Sequence, residues 1–197
     1  MNAFRTIAYL REGIVPKLIP NLRERILEQA ELLLRSEGYR ALSMRELARR
    51  CDVSPGTIYN HFADKDELVA TITLTDWGRA IEEMEHSARE ATSLVSGLTE
   101  LCRVLDSFTA RYRRVWEQYD GAPVTGYVAR FHRELRTQVA APIGTVVSRC
   151  GRDDLAEAAE VIAEALLACS VDPELGAQQF GKLASALDAP NPARRNP

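Results

Sequence analysis

Three features are missing from this chain: a long apolar run, a paired-cysteine pattern and, beyond residue 90, any strand-like alternation. No stretch approaches the roughly 18 consecutive apolar residues of a membrane-spanning helix, so no transmembrane segment is expected. The opening residues, MNAFRTIAYLREGIVPKLIP, have no continuous apolar core and no small-residue cleavage site, which makes a cytoplasmic location the default expectation. Cys51, Cys102, Cys150 and Cys169 are widely spaced with no C-x-x-C pair, and read as reduced thiols rather than a disulfide frame. Histidine is scarce as well. His61, His86 and His132 leave few ways to build a catalytic triad, and there is no G-x-S-x-G elbow, phosphate loop or H-E-x-x-H. The chain is therefore read as a non-enzyme with no metal and no cofactor. Glu83-x-x-His86 has the helical spacing of a di-iron half-site, but a second such pair is missing and a surface pair is the plainer reading.

What is present is ordinary globular material: 197 residues, 46% of them apolar, with a net charge of −3. That balance argues against indiscriminate coating of nucleic acid but allows a local binding face, because phosphate attraction acts over only about 8–10 Å. Arg5, Arg11 and Lys17 make residues 1–19 a basic arm, read as mobile, with a minor-groove or phosphate contact as the alternative.

From Pro20-Asn21 to Glu37 the apolar residues Ile26, Leu27, Ala30, Leu33 and Leu34 form one helical stripe, stopped by Gly38. Two short helices follow. Ser43 with Glu46 forms a capping box that starts the first; Leu47 and Ala48 point inward and Arg45, Arg49 and Arg50 lie outside. After the break at Cys51-Asp52-Val53, Ser54 caps the second and Pro55 takes its first position. At 100° per residue Ile58 and Phe62 share one face, with Gly56 and Asn60 nearly opposite and Thr57 and Tyr59 on the flanks. A helix held by two apolar anchors and turned polar side outward suits insertion into a major groove. Thr57, Tyr59 and Asn60 can then meet base edges or phosphates, and His61 and Lys65 the backbone. Arg45 and Pro55 complete the candidate DNA-facing set, and the helix start at Ser43 offers amides to a phosphate.

Asp64-x-x-Glu67 opens a longer helix to about Glu85, with Lys65 placed where the helix dipole disfavours a cation. Beyond residue 90 helices are expected at 94–118 and 124–148, from Asp154 (capped with Glu157) to Cys169, and from Asp172-Pro173 to Leu187, before a disordered tail at 189–197. The expected organisation is all-α: a three-helix helix-turn-helix DNA-binding domain at 20–66, then a helical-bundle ligand-binding and dimerisation domain at 67–188.

The stretches SEGYRALSMRELARRCDVS and GTIYNHFADKDEL resemble the TetR family of bacterial transcriptional regulators. The pattern Gly-Thr-aliphatic-Tyr-x-His-Phe-x-x-Lys-x-x-Leu runs from Gly56 to Leu68, and the likeness covers about residues 22–70. The resemblance implies a homodimer that binds a palindromic double-stranded DNA operator and releases it on binding a small effector. It places phosphate contacts on Ser43, Tyr59, His61 and Lys65 and base contacts on Gly56, Thr57 and Asn60. Variation in the family at Pro55 and Asn60 leaves the operator sequence open. The rival reading is a non-enzymatic helical ligand carrier or adaptor.

In the C-terminal part, Trp77, Phe108, Tyr112, Trp116, Tyr119, Tyr127, Phe131 and His132 concentrate aromatic and polar-tipped groups suited to lining an effector pocket, although core packing accounts for them equally well. Arg111, Arg113, Arg114, Arg130 and Arg133 add cationic candidates, a solvated face being the plainer reading. The helix from Asp154 carries Glu157, Glu160 and Glu164 on one stripe and apolar residues elsewhere, so residues 153–187, with Phe180, Leu183 and Leu187, are the expected homodimer interface.

Overall fold

A computed structural model of the protein describes residues 20–118, 124–172 and 175–189; the side chains of Trp116 and of residues 124–131 are outside the description, as are the basic arm at 1–19 and nearly all of the tail. Helix α1 (Leu22–Glu37) buries Leu22, Ile26, Ala30, Leu33 and Leu34, the apolar stripe read from the sequence. It ends at Gly38, whose φ of 83° and ψ of −179° lie in a region that side chains with a Cβ rarely occupy. A Cβ there would also stand 2.6 Å from Gln118 Oε1. That glutamine accepts a hydrogen bond from the Arg40 amide at 3.3 Å, tying the loop after α1 to a distant helix.

Helix α2 (Met44–Arg50) starts as expected, the Glu46 amide donating to Ser43 Oγ at 3.1 Å. The Glu46 carboxylate is spent elsewhere: Arg49 donates to it through Nε and Nη2 at 2.9 and 2.7 Å, and Arg50 through Nε at 2.8 Å. Helix α3 (Pro55–Tyr59) has Ser54 accepting from the Thr57 amide and Pro55 in its first turn. The regular helix closes at Asn60, sooner than the sequence pattern suggests. Phe62 still reaches the core, because its amide bonds back to the Ile58 carbonyl at 3.1 Å. Both anchors are buried.

Helix α4 (Lys65–Glu90) runs five residues past the expected end at Glu85. Asp64 accepts from the Glu67 amide at 2.8 Å, and Glu67 reaches back to the Ala63 amide at 2.6 Å. The expected domain boundary at 66/67 thus lies within the first turn of a continuous helix. Against α4 pack α5 (Leu94–Gln118) and α6 (Val124–Arg149); α7 (Ala159–Val171) packs in turn on α6 and α5, and α8 (Gly176–Asp188) on α5 and α7. Leu98, Leu101 and Leu105 of α5, Val139, Ile143 and Val146 of α6, Leu166 of α7 and Phe180 of α8 share one core with the three N-terminal helices.

Two expectations fail at the C-terminal end. Asp154 does not cap a helix: Arg152 takes its carboxylate at 3.1 and 3.2 Å and also donates to the Leu187 carbonyl, and Asp153–Ala158 winds as a 3-10 turn before α7 begins at Ala159. Phe180 is buried under its own chain and is unavailable to a partner. The helix start expected at Asp172-Pro173 falls partly outside the described residues; α8 begins at Gly176. Among the described residues no helix is long and apolar enough to cross a membrane. All four cysteines are free thiols, each pushed up by burial, Cys102 to about 12.

Candidate nucleic-acid interface

Around the buried anchors Ile58 of α3 and Phe62 just beyond it, the chain turns its polar groups outward. Ile58 and Phe62 are 0% and 1% exposed, whereas the Tyr59 ring beside them is 52% exposed. Pro55, Gly56, Asn60 and His61 are exposed as well. Thr57 is half-buried, and its hydroxyl shares a hydrogen with Ser54 Oγ at 2.9 Å, so part of its capacity is already used by the cap.

Gly56 is informative because nothing in the chain requires a glycine there. Its φ is not positive, and an added Cβ would meet only Ser54 Oγ at 3.8 Å. Helical glycine costs about 0.5–1 kcal/mol relative to alanine. The clear space lies on the solvent side, where another molecule's surface can come close to the backbone.

The cations sort themselves by partner. Arg49 and Arg50 both hold Glu46, and Arg50 also meets Glu37 at 3.4 Å. The two guanidiniums hold the Glu46 carboxyl down to about 2. Arg45 is exposed and makes no ion pair among the described residues, which leaves its charge available. Ser43 is exposed at the start of α2 with its hydroxyl engaged in capping. Lys65 is not the free surface cation that its place in the first turn suggests: its Nζ sits 3.7 Å from the centre of the Tyr39 ring. Burial pushes its ammonium down, and the Asp66 carboxylate offsets part of that.

The aromatic candidates of the C-terminal part divide. Trp77, Phe108 and Tyr112 form a buried row, with ring centres 5.2 and 5.1 Å apart, and Trp77 Nε1 donates to Gln138 at 2.6 Å. His132 is elsewhere, its Nε2 3.3 Å from Glu164 on α7. The side chains of Trp116, Tyr127 and Phe131, and the whole of Tyr119, lie outside the described residues. The stripe of acids on α7 faces α6 in part: Glu160 and Glu164 both approach Arg136.

The sequence reading missed Asp76. Its carboxylate is buried on α4 and receives Tyr112 Oη at 2.8 Å, Arg111 Nη1 at 3.0 Å and Arg79 Nη1 at 2.8 Å. Arg111 is exposed, as the solvated-face reading expects, but its guanidinium is also an ion-pair partner of this buried acid. A signal existed: position 76 continues the row Leu68, Ile72, Ala80, Met84, Ala88 at spacings of four, and an acid inside a buried stripe calls for partners. Arg111, Tyr112 and Val115 also face Glu31, Leu34 and Arg35 of α1 across a cleft with room for about one water molecule. Glu83 pairs with Arg103 at 2.9 Å, and no cluster of metal-ligating side chains occurs among the described residues.

Residues 26–72 match the family model described as bacterial regulatory proteins, tetR family. A stretch of 59 residues is 39% identical to the HTH-type transcriptional regulator UidR of Escherichia coli, a match covering 30% of each chain. A stretch of 95 residues is 30% identical to the HTH-type transcriptional regulator HbdR of Aromatoleum, covering 48% of this chain and 40% of that one. The chain thus matches these curated relatives over less than half their length. In fold the likeness extends further: a transcriptional regulator from Cytophaga hutchinsonii superposes with a TM-score of 0.68 at 16% identity, over 85% of this chain and 96% of that one. A TetR-family regulator from Streptomyces coelicolor superposes with a TM-score of 0.56 at 15% identity, over 95% of both.

Proposed function

We propose that this chain, whose helix-turn-helix region belongs to the TetR family of bacterial regulatory proteins, is a ligand-responsive repressor that binds a palindromic operator as a homodimer. The observation that carries the reading is the α3 surface: two buried anchors hold an exposed Tyr59 beside a glycine whose open side faces solvent. A ligand carrier has no need of either feature. In this reading Gly56, Thr57 and Asn60 approach base edges, with Pro55 bordering them, and Ser43, Arg45, Tyr59, His61 and Lys65 meet the phosphates.

Dimerisation is assigned to α7 and α8. Val161 and Val171 are 70% and 62% exposed and Leu183 is 36% exposed, apolar area that a second copy would cover. The twofold then sets two α3 helices one DNA turn apart, about 34–36 Å. The effector is assigned to the bundle beside Trp77, Phe108 and Tyr112. Pockets for small molecules run to about 300–1,000 Å³, so a ligand entering from the cleft beside α1 must part the helices there. An arrangement opened in this way no longer presents both α3 helices at operator spacing, and the ligand acts by favouring it.

Selection of bound duplexes from a random pool, followed by a gel shift at physiological salt, tests the reading. A palindromic consensus with half-sites one turn apart is the expected result. A chain that enriches no sequence and gives no salt-resistant band is a carrier or adaptor instead.

A further inference from the structure

Lys65 opens α4, where the positive end of the helix dipole disfavours a cation. Two groups counter that. The Tyr39 ring lies under the ammonium with its centre 3.7 Å away, and the Asp66 carboxylate stands beside it and accepts Tyr39 Oη at 2.5 Å. The tyrosine therefore meets Lys65 with its face and Asp66 with its hydroxyl. It comes from the loop after α1, 26 residues earlier in the chain. Lys65 is half-buried and the ring covers one side of the ammonium.

We propose that Tyr39 is a positioning residue for DNA binding, holding the Lys65 ammonium in one place so that its remaining N–H groups meet a phosphate without first being ordered. The proposal rests on the DNA-binding reading above. A free lysine side chain carries rotamer entropy, part of which is lost when a flexible cation is fixed on a phosphate. A cation already seated on a ring has lost that freedom in the unbound protein. Face attraction of this kind is electrostatic and needs the aromatic quadrupole, so phenylalanine keeps it and leucine does not.

The test uses the full chain and a short fluorescein-labelled duplex of mixed sequence, because a phosphate contact is indifferent to base sequence. Binding is followed by anisotropy across a salt series. Lys65→Ala is expected to lower the slope of log K against log salt by about 0.9. Tyr39→Leu should weaken binding about two- to fivefold and Tyr39→Phe should bind as the parent does. In a Lys65→Ala background Tyr39→Leu should have no further effect. An equal loss in both backgrounds would mean that Tyr39 acts only through the fold, and it overturns the proposal. So does an unchanged slope in Lys65→Ala. A second measurement is independent of any leucine variant: the Lys65 ε-methylene protons, shifted upfield by the Tyr39 ring, should move when duplex is added. Protons that stay put at saturating duplex remove Lys65 from the contact. A parent protein that binds no duplex at any salt fails the DNA-binding reading itself, and the role of Tyr39 falls with it.

Discussion

Tyr112 donates its hydroxyl to the buried carboxylate of Asp76 at 2.8 Å, joining α4 to α5 next to the cleft that faces α1. Burial alone would raise the Asp76 carboxyl; the bonds from Tyr112 and Arg111, with Arg79 beside them, hold it below the usual carboxylate range. A depressed carboxyl stabilises the fold above its unfolded-state value, about 4, and that contribution is lost as pH falls through the folded-state value. Urea unfolding from pH 7 down to pH 3 should therefore show a decline that is shallower in Asp76→Asn, which has no proton to gain. Tyr112→Phe should cost about 1–3 kcal/mol at neutral pH, the range for a hydrogen bond to a buried charged group. Equal acid limbs in Asp76→Asn and parent would show that other carboxylates govern the acid transition.

Gly56→Ala separates fold from function. Helix propensity favours the alanine by about 0.5–1 kcal/mol and the Cβ meets no clash within the chain, so the melting temperature should hold or rise. Operator affinity should fall if DNA approaches through that open space, as the proposed function requires. Tyr59→Ala should likewise leave helicity unchanged while weakening operator binding by about 1–3 kcal/mol. Full affinity in both variants takes α3 off the DNA.

The arginines of α2 should not be equivalent. Arg45→Ala should reduce the salt slope of binding by about 0.9, the loss of one phosphate contact. Arg49→Ala should do less, since its guanidinium is held by Glu46, whose carboxyl at about 2 stays ionised throughout the working pH range. A larger effect from Arg49 than from Arg45 would mean that the Glu46 pairs break when DNA binds.

Val161→Glu combined with Leu183→Glu should give a folded monomer by sedimentation velocity, with a melt of the separated chain close to that expected for surface changes, within about 0.5 kcal/mol. Operator binding should be lost with the dimer. A dimer persisting at low micromolar concentration places the interface away from these two side chains.

Local rules were enough for much of the molecule. The stripe of α1, the caps at Ser43, Ser54 and Asp64 and the anchors Ile58 and Phe62 are all legible in sequence, because each depends on residues within a turn or two of one another. The same locality explains why the outward-turned side chains around α3 could be read: a side chain's face on a short helix follows from its neighbours. It fails where partners are far apart in the chain. Nothing near Lys65 announces Tyr39, nothing near Gly38 announces Gln118, and the solvated look of Arg111 gave no sign of Asp76, 35 residues away. Asp154 was misread for the same reason in miniature, since the cap rule cannot see that Arg152 is anchored on the end of α8 and takes the carboxylate first. Periodicity alone could not divide the apolar residues of 153–187 into those spent on the chain's own core and those left exposed. Packing decided it: Phe180 and Leu166 went inward and Val161 and Leu183 stayed on the surface, because each helix has only one side turned to the core of its own chain.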